Sequence, residues 1–535
     1  MFMNNKPIPP NGASNPFLAQ HAASITGVLH CWDRIRFLGT LRTLQSVRGM
    51  MGYLQCVGVL LKDFRQYVSD LTARVRAQSE AVAQAAGRQV HYLHSSLARK
   101  DQLARQSAQS EAIEEGLIGL WSCVEPCRTY FVRRDPRAKT LVMEFAPGKC
   151  LHHYFYFQDP QLGLMHLRLQ TWFPFGVSVC VNGHLWLARL LDHAGIGYRQ
   201  QENCFTWIED MQAAQRLAAS QLQTDWPAAL NRLLHQCHPL ARQICAPIAQ
   251  QYYWSAQESE FSTDVLFASP CDLARLYPCL IRHAIIHFGS RDVLRFLGHC
   301  EKVRGPYQCE VKSSLKARPE GLRVKHTAAG NSVKLYDKQG SVLRAETTIS
   351  HTEAFRVYRE AEPATPAQPP ETQGRWMRMR KGVADMHRRA EVSQASNERY
   401  LRALAVVQNS HTAGEATDTI FRAVLRNGRR HRALNPWTDK DAALLEAVHS
   451  GQWTINGFRN RDLRLALFGP TTDPCAKRKQ AARITRSLAL LRAHGIIKKV
   501  THTHRYHLTD RGREIITALQ AARKSTIEAL LKIAA

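Results

Sequence analysis

Residues 331–349 of the chain have the sequence NSVKLYDKQGSVLRAETTI. Polar and apolar side chains alternate on both sides of Gln339-Gly340-Ser341, a segment with the composition of a turn. Because successive side chains of a strand point to opposite faces, the alternation predicts a β-hairpin. A two-residue loop would mix polar and apolar side chains on both faces, so we predict a three-residue loop.

The three-residue loop determines which side chains share a face. It pairs Lys338 with Val342, Tyr336 with Arg344, and Lys334 with Glu346. The predicted polar face consists of Lys334, Tyr336, Lys338, Arg344 and Glu346. We expect the other face to lie against the core; it consists of Val333, Leu335, Leu343 and Ala345.

So many charges on one sheet face must be solvated, paired or part of a site. One interpretation is a ladder of cross-strand ion pairs, in which Lys334 and Glu346 form the clearest pair. The other is a surface that handles single-stranded DNA or RNA, with Lys325, Lys334, Lys338 and Arg344 among its cations. The sequence leaves both interpretations open.

The second interpretation includes a possible active site. Asp337 and Glu346, with Asp264 from a predicted strand at 262–267, are the candidate ligands of a Mg²⁺ or Mn²⁺ ion. A nuclease needs two or three carboxylates from separate elements, because its metals activate water and stabilise the leaving oxygen. Other carboxylates that can join this set are Asp33, Glu125, Asp210 and Glu260. For any one of them, a surface or helix-capping role is the simpler hypothesis.

Residues 454–512 form the second informative stretch. A short predicted helix at 454–463 and a break at 469–474 precede a longer helix that begins near Cys475 and ends at Gly495. The longer helix is basic on one side, with Lys477, Arg478, Lys479, Arg483 and Arg486. Its other side is apolar, with Ile484, Leu488, Leu490 and Leu491. Two predicted strands, 496–500 and 504–508, follow, and Thr509 or Asp510 caps a closing helix.

This order of helix, glycine, hairpin and threonine resembles the winged-helix family of DNA-binding domains over residues 435–514. The resemblance implies docking on duplex DNA. The implied contacts are Lys477, Lys479, Arg483 and Arg486 on the helix, and Lys498, Lys499 and Arg505 in the wing. A winged helix used only for protein contacts is the alternative, and the many cations on the helix disfavour it.

Two further resemblances bear on the rest of the chain. The pattern at 334–346 resembles a stretch in rolling-circle replication initiators of the plasmid and filamentous-phage type. It implies metal-dependent nicking of single-stranded DNA by a tyrosine, and Tyr336 matches the tyrosine of that pattern. The whole chain also resembles a widespread bacterial family through segments 33–42, 167–174 and 457–462 together with the hairpin, and this resemblance implies no activity.

Composition limits the class of partner. The 535 residues include 72 Lys and Arg against 44 Asp and Glu, which gives a formal net charge of +28 and a pI near 9.9. Such a surface attracts polyanions, so we expect nucleic acid. An anionic membrane is disfavoured because the cations are spread over folded-looking segments. The 14 cysteines form no disulfide framework and no stretch reads as a membrane span or signal peptide, so we expect a cytoplasmic protein.

The expected fold class is multidomain α+β. Its parts are a disordered N-terminus (1–22), a helical region (23–120), a central mixed α+β nucleic-acid-binding domain (121–350), a Pro-rich linker (360–373), a basic helical segment (374–434) and a C-terminal winged helix-turn-helix (435–535). We expect a nucleic-acid-binding protein of a bacterial mobile or defence element. It is either a metal-dependent nuclease or nicking enzyme, or a non-enzymatic binder such as a ribonucleoprotein subunit or regulator, and its oligomeric state stays open.

Overall fold

A computed structural model describes residues 15–298, 310–319, 321–359, 375–408, 417–426, 428–453, 457–500 and 503–526. The predicted linker at 360–373 lies outside the described residues, as do residues 1–14 of the predicted N-terminal tail.

The strands are β1 (Ile25–Thr40), β2 (Val90–Tyr92), β3 (Gly116–Arg134), β4 (Leu141–Asp159), β5 (Gly163–Gln170), β6 (Val177–Asn182), β7 (Tyr198–Gln201), β8 (Cys204–Ile208), β9 (Tyr253–Phe267), β10 (Val311–Arg318), β11 (Gly321–Ala328), β12 (Asn331–Lys338), β13 (Val342–Ile349), β14 (Arg356–Arg359), β15 (Arg375–Arg378), β16 (Val424–Arg426), β17 (Arg429–His431), β18 (Ile497–Lys499) and β19 (Tyr506–Leu508). The α-helices are α1 (Pro16–Gln20), α2 (Val47–Cys56), α3 (Phe64–Ala85), α4 (Lys100–Ser110), α5 (Gly183–Ala194), α6 (Met211–Ser220), α7 (Trp226–Cys237), α8 (Ala241–Cys245), α9 (Pro270–Ile286), α10 (Ser290–Leu297), α11 (Met386–Leu404), α12 (Asp439–His449), α13 (Asn460–Phe468), α14 (Pro474–Ala493) and α15 (Asp510–Lys524).

Eleven strands form one sheet in the order β10-β11-β12-β13-β9-β1-β6-β5-β4-β3-β2. The pairs are antiparallel except β2 with β3, which is parallel. The mixed α+β class predicted from the sequence is confirmed. The predicted hairpin is β12–β13, and its register is the predicted one, with Lys334 opposite Glu346 and Tyr336 opposite Arg344.

One face of the hairpin lies in an apolar core, as predicted. Val333, Leu335, Leu343 and Ala345 are all fully buried. They pack with apolar side chains of α9, α10 and α11. The alternation of apolar and polar residues therefore reports which face meets the core.

Three of the predicted segments are wrong in part. Residues 25–40, predicted to be helical, form β1, which lies in the middle of the sheet between β9 and β6. Phe17, in the predicted tail, is fully buried in the same core as the hairpin, so residues 15–22 are ordered by apolar burial. Residues 375–378, predicted to begin a helix, pair with β14, and the helix begins later, at Met386.

The C-terminal region has a core of its own, formed by α12 to α15 and the β18–β19 hairpin. Two predicted end signals are confirmed. Gly495 has a φ of 69° just beyond α14, and the Thr509 hydroxyl accepts a hydrogen bond from the Gly512 amide at 2.9 Å. The short helix predicted at 454–463 begins at Asn460 instead. Across the described residues, no helix combines the length and the apolar character that a membrane crossing requires.

Candidate functional site

The polar face of the β12–β13 hairpin is buried. Lys334 is 5% exposed, Glu346 2% and Arg344 0%. The segment between β6 and α6 covers this face. Arg344 donates a hydrogen bond to the backbone oxygen of Asn203, which lies between β7 and β8. Arg344 also contacts His184 on α5. Charges held so far from water need partners, and the neighbouring strands β9 and β1 supply them.

Arg344 is the centre of the first group of charges. Its Nε and Nη2 atoms each donate to one carboxylate oxygen of Asp264 on β9, both at 2.7 Å. Its Nη1 atom donates to Asp33 on β1 at 3.1 Å. His184 lies between the two aspartates, 3.1 Å from Asp33 and 3.2 Å from Asp264. Burial alone would raise the pKa of Asp264, but Arg344 outweighs it and lowers that pKa to about 2.

Lys334 is the centre of the second group. Its Nζ atom lies 2.7 Å from a carboxylate oxygen of Glu260 on β9 and 2.5 Å from one of Glu346. Arg34 on β1 reaches the other oxygen of Glu260 at 3.0 Å. Burial raises the pKa of Glu346 most strongly. Lys334 opposes the shift and Glu260 adds to it, and the resulting pKa is about 7.

Three buried carboxylates converge between these groups. Oxygen atoms of Asp33, Glu260 and Glu346 lie within 4.8 Å of one another, which is close enough for a shared cation. We call these three residues the carboxylate cluster. The Lys334 ammonium donates hydrogen bonds to two residues of the cluster, Glu260 and Glu346. The cluster therefore already has an internal cation.

The predicted metal ligands are not the residues that converge. Asp337 is half-buried and pairs with Leu343 on the apolar face of the hairpin. It therefore lies on the opposite face from Lys334, Arg344 and Glu346. Asp264 is engaged by Arg344, and the carboxylate cluster does not include it. Glu346 is the one predicted ligand in the cluster, where Asp33 and Glu260 join it. Both are among the carboxylates that the sequence marks as able to join the set.

The remaining predicted residues of the sheet have structural neighbours. Tyr336, a catalytic candidate because it matches the tyrosine of the replication-initiator pattern, is 5% exposed. Its ring centroid lies 4.9 Å from the Lys338 ammonium and 5.9 Å from the Arg323 guanidinium. Lys338 donates to Asn203 at 3.4 Å. Lys325 is half-buried on β11, and burial lowers its pKa. His184 and Asn203 could not be identified from the sequence, since neither belongs to a motif that marks a site.

The predicted contacts in the C-terminal region are on the surface. Lys477, Lys479, Arg483 and Arg486 are exposed on α14, as are Lys498 and Lys499 on β18. Arg505 is half-buried beside β19. Among the residues that the structure describes, no carboxylate forms an ion pair with Lys477, Lys479, Arg483 or Arg486.

Comparisons of the chain with protein-family models, with curated proteins and with solved structures find no match. The chemistry of these residues is therefore the basis for a proposal of function.

Proposed function

We propose that the protein binds duplex DNA through α14 and that its C-terminal region is a winged helix-turn-helix. The observation that carries the proposal is the row of exposed cations on this helix, with which no carboxylate of the described residues forms an ion pair. Lys479, Arg483 and Arg486 are separated by four and three residues, so they share one side of α14. That side is opposite the buried Ile484 and Leu488.

The surroundings of α14 support docking in a groove. Cys475 and Ala482 are small, exposed residues on the cationic side of α14. Their short side chains let the helix approach the floor of a DNA groove closely. The major groove of B-DNA admits an α-helix, and phosphates flank it on both sides. Near the helix, Phe458 forms a bridge with Tyr506 on β19, which adds a third strand position to the β18–β19 hairpin. Helix, helix and hairpin in this order are typical of winged-helix proteins.

The sheet supports binding more strongly than catalysis. Cations of the protein itself already engage the carboxylate oxygens that would hold a metal or a proton. Arg344 engages Asp33 and Asp264, and Lys334 engages Glu260 and Glu346. Such pairing fixes the central strands rather than leaving ligand positions open. We therefore favour a nucleic-acid binder over a nuclease.

The first test replaces the cationic side of α14 with glutamine, by Lys479→Gln, Arg483→Gln and Arg486→Gln together. We expect weaker binding to a labelled duplex. The slope of log K against log salt should fall by about 2 to 3, since each phosphate contact contributes about 0.9. Fluorescence anisotropy over a salt series measures both quantities.

The control for this test removes three exposed arginines on other helices, by Arg216→Gln, Arg242→Gln and Arg282→Gln. It has the same loss of charge, so its slope should stay close to that of the wild type. If both variants have the wild-type slope, α14 does not contact the duplex.

A metal-dependent nuclease is the second candidate, and the carboxylate cluster is the observation that favours it. Metal binding would have to displace Lys334 and would need Glu346 ionised. Because the pKa of Glu346 is about 7, this hypothesis predicts that Mn²⁺ binds more tightly as the pH rises through about 7. Glu346→Gln should then abolish both Mn²⁺ binding and any cleavage of single-stranded DNA or RNA.

Electron paramagnetic resonance of free Mn²⁺ measures the binding, and gel electrophoresis measures the cleavage. Glu125→Gln is the control, because Glu125 is a half-buried, ion-paired carboxylate outside the cluster. The absence of Mn²⁺ binding by the wild type at pH 8 would exclude this candidate and leave the binder.

A further inference from the structure

β3 and β4 extend well beyond the rest of the sheet. β2 pairs with β3 only at residues 120–122, and β5 pairs with β4 only at residues 152–159. The pairs from Pro126–Lys149 to Arg134–Leu141 lie beyond both neighbours. At about 3.3 Å per residue, this two-stranded ribbon is roughly 30 Å long. We call residues 126–149 the arm.

The base of the arm is firmly held. The Tyr130 hydroxyl donates to the backbone oxygen of Leu44 at 2.8 Å, and the Thr129 hydroxyl donates to that of Phe173 at 2.8 Å. The rings of Tyr130 and Phe145 stack across the two strands with centroids 4.7 Å apart. These contacts fix the direction of the arm, so its end is presented in a defined position.

The end of the arm is cationic. The arm has six basic residues: Arg133, Arg134, Arg137 and Lys139 at its end, and Arg128 and Lys149 nearer its base. Its two acidic residues are engaged locally: Asp135 accepts hydrogen bonds from two amides of its own turn, and Glu144 lies 3.5 Å from Arg133. Arg134, Arg137 and Lys139 are exposed, and within the described part of the chain no carboxylate forms an ion pair with them.

We propose that the end of the arm, residues 133–142, enters the major groove of duplex DNA and is a second contact besides α14, since Val132 and Met143 are the last arm residues that pack against the core. This inference rests on the proposed function, because it takes duplex DNA as the ligand. The major groove of B-DNA admits a two-stranded β-ribbon, whereas that of A-form RNA is too narrow. Exposed cations match the flanking phosphates. Leu141 and Val142, 40% and 41% exposed, lie beside them and suit the methyl groups of thymine.

Unpaired strand edges offer another explanation for these cations. Basic residues and prolines on an edge prevent pairing with other chains, and the arm has both. On that explanation, neutralising the cations changes the state of association and leaves DNA binding as it was. The two explanations therefore predict different results for the same variant.

The test is a variant with Arg134→Gln, Arg137→Gln and Lys139→Gln, compared with the wild type, the α14 variant and the Arg216, Arg242 and Arg282 control. For a duplex DNA, the slope of log K against log salt should fall by about 2 to 3 in the arm variant and stay unchanged in the control. For an RNA duplex of the same sequence, the arm variant should keep the wild-type slope. Size-exclusion chromatography checks that each variant is monodisperse.

A photo-crosslinker locates the contact directly. Benzoylphenylalanine in place of Ala138, at the turn of the arm, should cross-link to duplex DNA, and the same group in place of Gln212 on α6 should not. Two results overturn this proposal: an arm variant whose salt slope equals that of the wild type, or one whose slope falls equally on DNA and on RNA. If the slope of the α14 variant falls in the same experiment, the proposed function stands and only this inference fails. Failure of the wild type to bind duplex DNA at low salt overturns the proposed function and this inference together.

Discussion

Arg344→Met should lower the free energy of unfolding by about 3–5 kcal/mol, the usual cost of removing one partner from a buried ion pair. Methionine fills much of the same volume, so the loss is mainly electrostatic. Asp264 is fully buried and Asp33 nearly so, and at neutral pH both would lose the guanidinium that balances their negative charge. Urea denaturation followed by tryptophan fluorescence measures the difference.

The pH dependence of this loss separates electrostatics from packing. Arg344 lowers the pKa of Asp264 in the folded wild type, so its stabilisation is complete above the ordinary pKa and is lost as the pH falls toward about 2. Without Arg344, burial raises the pKa of Asp264 and favours its protonated form in the folded state. Relative to the wild type, the variant should therefore lose the least free energy of unfolding at acidic pH and the most at neutral pH.

Arg34→Met is the matched control on the same sheet face. The Arg34 side chain is 43% exposed although it is paired with Glu258 and Glu260, so water can replace its contacts. We expect a loss of about 1 kcal/mol or less. A similar loss in both variants, independent of pH, would contradict the central role of Arg344.

The hairpin could be predicted because its information is local. Alternation over residues 331–349 specifies which face is apolar, and a turn of fixed length specifies the register. The signals at the ends of α14 and α15 are local in the same way, since Gly495 and Thr509 act within one helical turn.

The carboxylate cluster could not be predicted, because sheet order brings it together. Asp33, Glu260 and Glu346 are far apart in the sequence and meet because β1, β9 and β13 are neighbours. A shift of register in the β1–β9 pairing between Trp32 and Arg34 also changes which side chains share a face there. Their residue types made them candidates, but only topology shows that they converge.

The strand β1 was missed although its sequence contains a signal. Arg34 and Arg36 alternate with the buried Ile35 and Phe37, which is the pattern of a strand with one polar face. Before Asp33 the pattern differs, because α5 and α6 cover the other face at Leu29 and Cys31. Burial on both sides there removes the alternation of polar and apolar residues, so the sequence of this part does not distinguish a strand from a helix.

Gly183→Ala should lower the free energy of unfolding by at least about 3 kcal/mol, the upper part of the range for overpacking. Gly183 begins α5, and a Cβ atom at this position would overlap the backbone carbonyl of Trp32 on β1. A backbone neighbour in the middle of the sheet cannot move aside as a flexible side chain can. The backbone oxygen of Gly183 also accepts a hydrogen bond from Gln221 at 3.1 Å, which holds the start of α5 in place.

Gly52→Ala tests whether this effect comes from the site rather than from the loss of a glycine. Gly52 lies inside α2, and a Cβ atom there would meet no heavy atom within 4 Å. Alanine has the higher helix propensity, so this variant should gain up to about 1 kcal/mol. Opposite signs in the two variants, measured by urea denaturation, are the expected result. Equal effects would mean that α5 is not packed on β1 as described. Because His184 directly follows Gly183, a displaced α5 should also remove the imidazole from between Asp33 and Asp264.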